Sequence, residues 1–457
     1  MPLGPQRDGR NLAVLAALGW VLAVVFSLLG WQLAGRCVGS TYGADYVPFE
    51  LLGGALGALV LGLAALWLRG REVRDAATLA PLAVVVAACL QVVFLVSEYS
   101  QASWDWRCYV QAAWAVGAGA EPYQDCYLYP PLLAELLALA HRPWAAFLEA
   151  FPLPGVKAWG LVYFTWRALQ VPLVAGVALL LLRLGRRWGL GPLEAPAVVA
   201  ALLLVDSPLI RTLRHDQPNL AVLLLVLVAM EAVVRRPALA GLALALAGHL
   251  KALPLALALP WALARRGRAL AWTAGFGALL ILPVTLFGRH LPWLWEWVAV
   301  GRSVAWGEHF RDNGVFAVAI NLLRVPLGEA APDVAALRLV GSVAALVVGA
   351  LLLWRLWCRQ REPAPEDERL TDGMCDAIAL TLLATPVVWE HHYLLAVPLL
   401  LRAWARHPGR RAQVLAAAAL MLALPTFDLF LLSWHRLAGL VLLLWTTRPA
   451  RAPEPTA

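Results

Sequence analysis

The chain has 457 residues, of which 61% are hydrophobic and 14% charged, against about 25% charged residues in soluble domains. Mean hydropathy is +0.70, and this apolar supply is enough for on the order of a dozen spans of roughly 20 residues each. A soluble enzyme, a secreted disulfide scaffold and a disordered regulator are excluded, and an all-α polytopic membrane protein is predicted. The net charge is +8, yet only Lys157 and Lys251 among the 37 basic residues are lysines. Nucleic-acid binding would need a basic face on a soluble surface, so no nucleic-acid partner is expected and the charge reads as topogenic. The six cysteines form no CxxC pair and no Cys/His metal spacing, so neither a metal nor another cofactor is expected. Scarce lysine beside abundant Ala, Arg, Gly and Pro hints at a bacterial source.

Taken in chain order, apolar runs near 11–35, 50–68, 79–97, 158–183, 194–210, 218–234, 269–287, 334–357, 374–390, 391–405, 412–432 and 436–447 predict about 11–13 spans in a single transmembrane domain, 1–457. The first run follows Arg7 and Arg10 and lacks an A-x-A cleavage site, so it reads as an uncleaved span. Basic clusters stand at Arg69–Arg74, Arg183–Arg187, Arg235/Arg236, Arg265–Arg268, Arg355–Arg361 and Arg402–Arg411. Cytoplasmic N- and C-termini in a bacterial cell membrane put all of these clusters inside. That alternation requires two segments not to cross fully. Residues 131–141 are too short, and 238–264 carries arginines at both ends, so it is predicted as a re-entrant pair with Lys251 at its tip.

Two long loops, 98–130 and 288–333, then face outward together with the chemically distinctive residues. Many of the 22 tryptophans lie there, as expected of interfacial helices. In the first loop Asp105 stands between Trp104 and Trp106, followed by Arg107 and Tyr109. A partly desolvated carboxylate is a proton acceptor; an aspartate there is equally a helix N-cap. Tyr129-Pro130-Pro131 opens a short helix whose free amides suit a phosphate, and Cys108 and Cys126 of the same loop could pair in an oxidising compartment. Between two spans lies Arg211-Thr212-Leu213-Arg214-His215-Asp216-Gln217-Pro218-Asn219, either an anion site or an ordinary polar turn. Lys251, an ammonium within an apolar segment, should be paired or lie on a substrate path. Pro386 to Tyr393 contains Trp389, Glu390, His391 and His392; adjacent histidines point about 100° apart on a helix, so the pair reads as a hydrogen-bonding or proton-handling group.

With these residues the chain resembles glycosyltransferase family 87, integral membrane enzymes of GT-C type that use polyprenyl-phosphate sugars, mannosyltransferases among them. The resemblance rests on Asp105 to Tyr109 with the following Gly-x-x-Pro-Tyr and Tyr-Pro-Pro, on Gln217 and Asn219, on Gly248, Lys251 and Pro254, and on Pro386 to His392. It implies a GT-C-like fold, a polyprenyl-phosphate sugar donor and a glycolipid or glycan acceptor in the lipid bilayer. It matches Asp105 to the family's first-loop catalytic aspartate and turns His391 and His392 toward the same cavity. One departure is an additional N-terminal helix pair, 11–68, ahead of that aspartate; its own loop carries Asp45, a less favoured candidate.

The expected activity is an inverting hexosyl transfer at the extracytoplasmic face, with mannose as the expected sugar. Asp105, His391 or His392 would take the acceptor proton. Arg211, Arg214 and Lys251 would hold the donor phosphate, with Arg302 and Arg311 in reserve. Tyr109, Tyr129, His215, Gln217, Asn219, Trp389 and Glu390 would line the substrate. A lipid or glycan flippase and a membrane acyltransferase stand as alternatives. The flippase is disfavoured because the ionisable groups crowd the outer side instead of the midplane.

Overall fold

The computed structural model describes residues 47–69, 71–98, 102–123, 126–281, 290–303, 312–427 and 430–449. The expected first span, Asp45 and Arg311 lie outside these residues. Every element among those described is helical, as an apolar chain that must satisfy its own backbone requires. Packing divides the chain into two units: Met1–Gln91, Ala175–Arg211 and Trp306–Ala457, and Val92–Val174 and Thr212–Ala305.

In the first unit α1 (Val47–Arg69) packs on α6 (Glu194–Leu204). Contact is so close at Gly57 that any β-carbon there would collide with the Leu204 carbonyl. Leu204 ends α6, and Asp206 starts α7 (Ser207–Arg214) by accepting a hydrogen bond from the Leu209 amide at 2.9 Å. The two helices meet at a 49° bend. The Leu204 carbonyl near this break is satisfied by buried Gln91 of α2 (Val73–Glu98), whose Nε2 donates to it at 2.8 Å and to Gly53 at 3.1 Å.

Further along, α13 (Val315–Leu327) packs on α14 (Val334–Gln360), and α14 on α15 (Glu366–Ala384). The free side of α14 carries Leu339, Leu346, Leu351 and Trp354, each at least 60% exposed. Such a stripe would be a liability in water and suits hydrocarbon. At the other end of α14, Arg355 and Arg359 both bind Asp376 of α15, at 2.8 and 2.9 Å. Arg355 also donates to the Leu444 and Thr447 carbonyls at the end of α18 (His435–Thr446), where a cation complements the helix dipole. Asp372 is held similarly by Arg402 and Arg406, at 2.6 and 3.2 Å.

The second unit contains α3 (Trp104–Gly117), packed on α4 (Leu132–Ala150), and α9 (Pro237–Leu250), packed on both α8 (Asn219–Ala232) and α11 (Gly267–Ile281). Between α9 and α10 (Ala258–Leu263) the backbone breaks at Lys251, which is extended (φ −161°, ψ 117°), and resumes as a 3₁₀ turn, Leu253–Leu257. The chain also forms α12 (His290–Ser303), whose Trp297 indole donates to the Leu128 carbonyl at 2.9 Å.

Four described helices are individually long and apolar enough to cross a membrane: Glu50–Leu68, Val73–Ser97, Ala158–Arg187 (within α5, Ala158–Arg187) and Val334–Gln360; the bent α6–α7 pair makes up to five. These several apolar helices are those of a polytopic membrane protein. Several of the other expected spans are interrupted among the described residues. Run 218–234 is a 14-residue helix opened by Pro218. Run 374–390 starts earlier, at Glu366, and stops at Ala384, since a residue before proline, here Thr385 before Pro386, is pushed out of the helical region. Run 391–405 opens as a 3₁₀ turn, Glu390–Ala396, before α16 (Val397–Arg406). Run 412–432 is α17 (Arg411–Ala418) followed by a π turn, Ala419–Ala423.

The α9–α11 contact yields a test. A β-carbon on Gly241 would lie 2.5 Å from Trp272 Cβ and 2.7 Å from the Thr273 nitrogen, whereas one on Gly275 meets nothing within 4 Å. Gly241→Val should destabilise the protein by about 1–3 kcal/mol through overpacking. Gly275→Ala should be neutral or slightly stabilising, by up to about 1 kcal/mol; thermal unfolding in detergent distinguishes the two.

Candidate active site

The first loop folds because α3 has a complete set of end signals. Ser103 is its N-cap, with the hydroxyl accepting from the Trp106 amide at 3.0 Å. This corrects the alternative in which Asp105 caps the helix. Asp105 sits instead in the first turn, where the dipole favours its negative charge. At the other end Gly119, at φ +78°, lets the chain reverse while its amide bonds the Val116 carbonyl. Trp106, Tyr109, Ala112, Ala113 and Val116 form the buried face. Cys108 is joined to Cys126 by a disulfide, which ties α3 to the segment carrying Tyr127 and Tyr129.

That segment brings three tyrosines together. Tyr109 meets Tyr127 and Tyr129 edge to face, with ring centroids 6.2 and 5.5 Å apart. Tyr127 donates to the Pro130 carbonyl at 2.8 Å and accepts from the Ala134 amide at 3.2 Å, fixing the start of α4. Tyr129 points its hydroxyl at the Gln217 carboxamide oxygen, 2.5 Å away, and Gln217 Nε2 donates to Asp105 Oδ2 at 2.6 Å. A carboxylate only accepts, so the amide nitrogen must face Asp105 and the amide oxygen Tyr129.

Two nitrogen-bearing side chains flank this chain. His215 Nδ1 lies 3.7 Å from Asp105 Oδ2. Lys251, 6% exposed, donates from Nζ to Asn219 Oδ1 at 2.8 Å and stands 5.2 Å from the Tyr129 ring centroid. An ammonium buried this far needs such partners. Asn219 in turn reaches Thr212 Oγ1 at 3.4 Å. The Asp105 side chain is 22% exposed, and burial lifts its pKa to about 6, offset by the Gln217 hydrogen bond and the Lys251 charge and reinforced by Asp216. Gln217, Asn219, Lys251, Tyr109, Tyr129, His215 and Asp105 thus come together in one unit, and Arg214 stands at the start of the same turn.

Arg211, Trp389, Glu390, His391 and His392 belong to the other unit. Arg211 donates to Glu50 and lies 3.6 Å from Glu390, so two carboxylates already face its guanidinium. Glu390, His391 and His392 are buried in the 3₁₀ turn after Trp389. The rings of His391 and His392 are 4.6 Å apart and nearly perpendicular. His392 Nδ1 accepts from the Trp389 amide at 3.1 Å, which leaves its proton on Nε2. Asp312, unremarked in the sequence, organises this turn by accepting from the amides of Gly314 at 2.9 Å and Val388 at 2.7 Å. Burial raises its pKa to about 7.

Sequence reasoning also missed Arg167 and gave Asp216 no role. Arg167 binds Asp216 at 3.1 Å from within α5. The available signal was an arginine inside an apolar helix, which must find a partner.

The sequence profile described as glycosyltransferase family 87 matches residues 127–386. The chain belongs to glycosyltransferase family 87. Its match spans Tyr129, Gln217, Asn219 and Lys251, begins after Asp105 and ends before Trp389. No curated protein and no solved structure matches the chain. Family membership makes the protein a glycosyltransferase and displaces the flippase and acyltransferase alternatives.

The disulfide gives a direct test. Alkylation of denatured protein without reductant should leave Cys108 and Cys126 unlabelled, and reductant should expose both. Replacing either by serine should cost up to about 3 kcal/mol, the chain-entropy value for a loop of this size, read as a lower unfolding temperature.

Proposed function

We propose that this family 87 glycosyltransferase moves a hexose, mannose in the first instance, from a polyprenyl-phosphate donor to a glycolipid or glycan acceptor. The transfer takes place at the extracytoplasmic face of a bacterial cell membrane. The observation that carries the reading is the joining of Asp105, through Gln217 and Tyr129, to the site of buried Lys251 and Asn219. One group accepts a proton and the other compensates an anion. The Cys108–Cys126 disulfide supports an oxidising compartment for this loop.

In the proposed reaction the acceptor hydroxyl gives its proton to Asp105 as its oxygen attacks the anomeric carbon. The bond from that carbon to the phosphate oxygen breaks, and polyprenyl phosphate leaves. A single displacement inverts configuration. Phosphate is a competent leaving group, so cationic stabilisation of the departing charge by Lys251 and Arg214 replaces a general acid. Arg211, expected to share this task, is left out of the reading because Glu50 and Glu390 occupy its guanidinium. Asp105 is preferred to His392 as the base, since His392 Nδ1 already accepts from the backbone.

Purified protein in nanodiscs, supplied with radiolabelled polyprenyl-phosphate mannose, a membrane glycolipid extract and EDTA, tests this directly. Transfer should proceed in wild type and fall by at least about 100-fold in Asp105→Asn. Retained transfer in that variant would move the base to a histidine. Asp105 must be ionised to act, so kcat/KM should rise with pH through about 6 and then level. Gln217→Leu removes the hydrogen bond that favours the ionised form, so its rising limb should move to higher pH.

A further inference from the structure

Asp216 lies next to Gln217 and shares contacts with the helix that carries Asp105. Its backbone is left-handed, φ +53°, a conformation adopted by few residues other than Gly and Asn. The carboxylate accepts from three directions. Oδ1 takes Arg167 Nε at 3.1 Å, and Oδ2 takes the Ser103 amide at 3.2 Å and the Tyr163 hydroxyl at 3.4 Å. Its own carbonyl accepts the Trp166 indole at 3.1 Å, and Ser103 Oγ donates to the neighbouring His215 carbonyl at 3.0 Å. Arg167 is held further by donating to the Val96 carbonyl at 2.6 Å.

Ser103 is two residues before Asp105, and Asp216 one before Gln217. The ends of the 2.6 Å Gln217–Asp105 hydrogen bond are thus braced by one buried ion pair. We propose that Asp216 is a positioning residue, which with Arg167 clamps the N-terminus of α3 to the 212–219 turn and so sets the Asp105–Gln217 geometry. This rests on the reading of Asp105 as the base. Asp216 touches neither donor nor acceptor in this assignment; it acts through the two residues it spaces. A displacement of about 1 Å at reacting groups costs on the order of 100-fold in rate.

Three variants test the clamp in nanodiscs. Asp216→Asn keeps a side chain that tolerates the left-handed backbone but removes the charge and one acceptor. Ser103→Pro removes the amide donor at a φ of −64° that proline adopts, leaving the Arg167–Asp216 pair untouched. Ser103→Ala is its control, losing the hydroxyl alone. Hydrogen exchange should accelerate over 103–107 in Asp216→Asn, and kcat should fall on the order of 100-fold while donor KM changes little. Ser103→Pro should lose clearly more kcat than Ser103→Ala.

The pH profile separates positioning from loss of folded protein. Groups facing Asp105 are His215, Lys251, Asp216 and the hydroxyls of Tyr109 and Tyr129; those facing Asp216 are Arg167 and Tyr163. Removing the Asp216 charge alone would lower the Asp105 pKa, but an opened clamp also weakens the Gln217 hydrogen bond, the stronger influence, so the rising limb in Asp216→Asn should move to higher pH. Loss of folded protein would scale the profile without moving it. Unchanged exchange, faster exchange with wild-type kcat, or a limb moved to lower pH, as charge removal with an intact Gln217 hydrogen bond gives, would overturn the proposal. Full activity in Asp105→Asn, run alongside, would instead overturn the base assignment and the positioning role with it.

Discussion

A helix that stops inside an apolar chain leaves carbonyls and amides where little water reaches them, and each must be met by a side chain or the break is too costly to persist. The molecule has many such breaks and meets them one by one. Gln91 satisfies the Leu204 carbonyl, Asp206 the amide of Leu209, Asp312 those of Gly314 and Val388, and Arg355 the carbonyls ending α18. Apolar runs that would otherwise cross a membrane unbroken become short helices separated by polar joints.

The candidate site is built from such joints. Lys251 stands where α9 ends and the chain turns extended, Asn219 where α8 begins, and Gln217 in the turn before it. Asp105 lies in the first turn of a helix only 14 residues long. Polar side chains in these places are already required to have partners, and here the partners are each other. The proposed reactive groups therefore stand at helix ends and turns, where polar side chains and backbone groups without a helical partner meet.

The helical, membrane-embedded character was legible because it depends on bulk composition and on runs of Leu, Ala and Val. Asp105, Gln217, Asn219 and Lys251 were legible because each departs from its apolar surroundings. The exact breaks were not, since the turn between runs 374–390 and 391–405 is held by Asp312, which reaches the Val388 amide from 76 positions away. Arg211 misled for a related reason. An arginine in a polar turn looks available for phosphate until Glu50, distant in sequence, is brought against it. Asp216 and Arg167 could be seen as charges, but their spacing of 49 residues concealed that they form a pair.

The Tyr129–Gln217–Asp105 chain has one further consequence. Its direction is fixed: the phenol donates to the amide oxygen and the amide nitrogen donates to Oδ2, so the carboxamide cannot flip without breaking both bonds. Oδ2 is therefore held as an acceptor, and in the proposed reaction the proton would be taken up on Oδ1. The carboxyl group can gain and lose a proton while its supporting dipoles stay still. In bulk water the same change would require solvent to reorient around the new charge; here that reorganisation was completed when the protein folded.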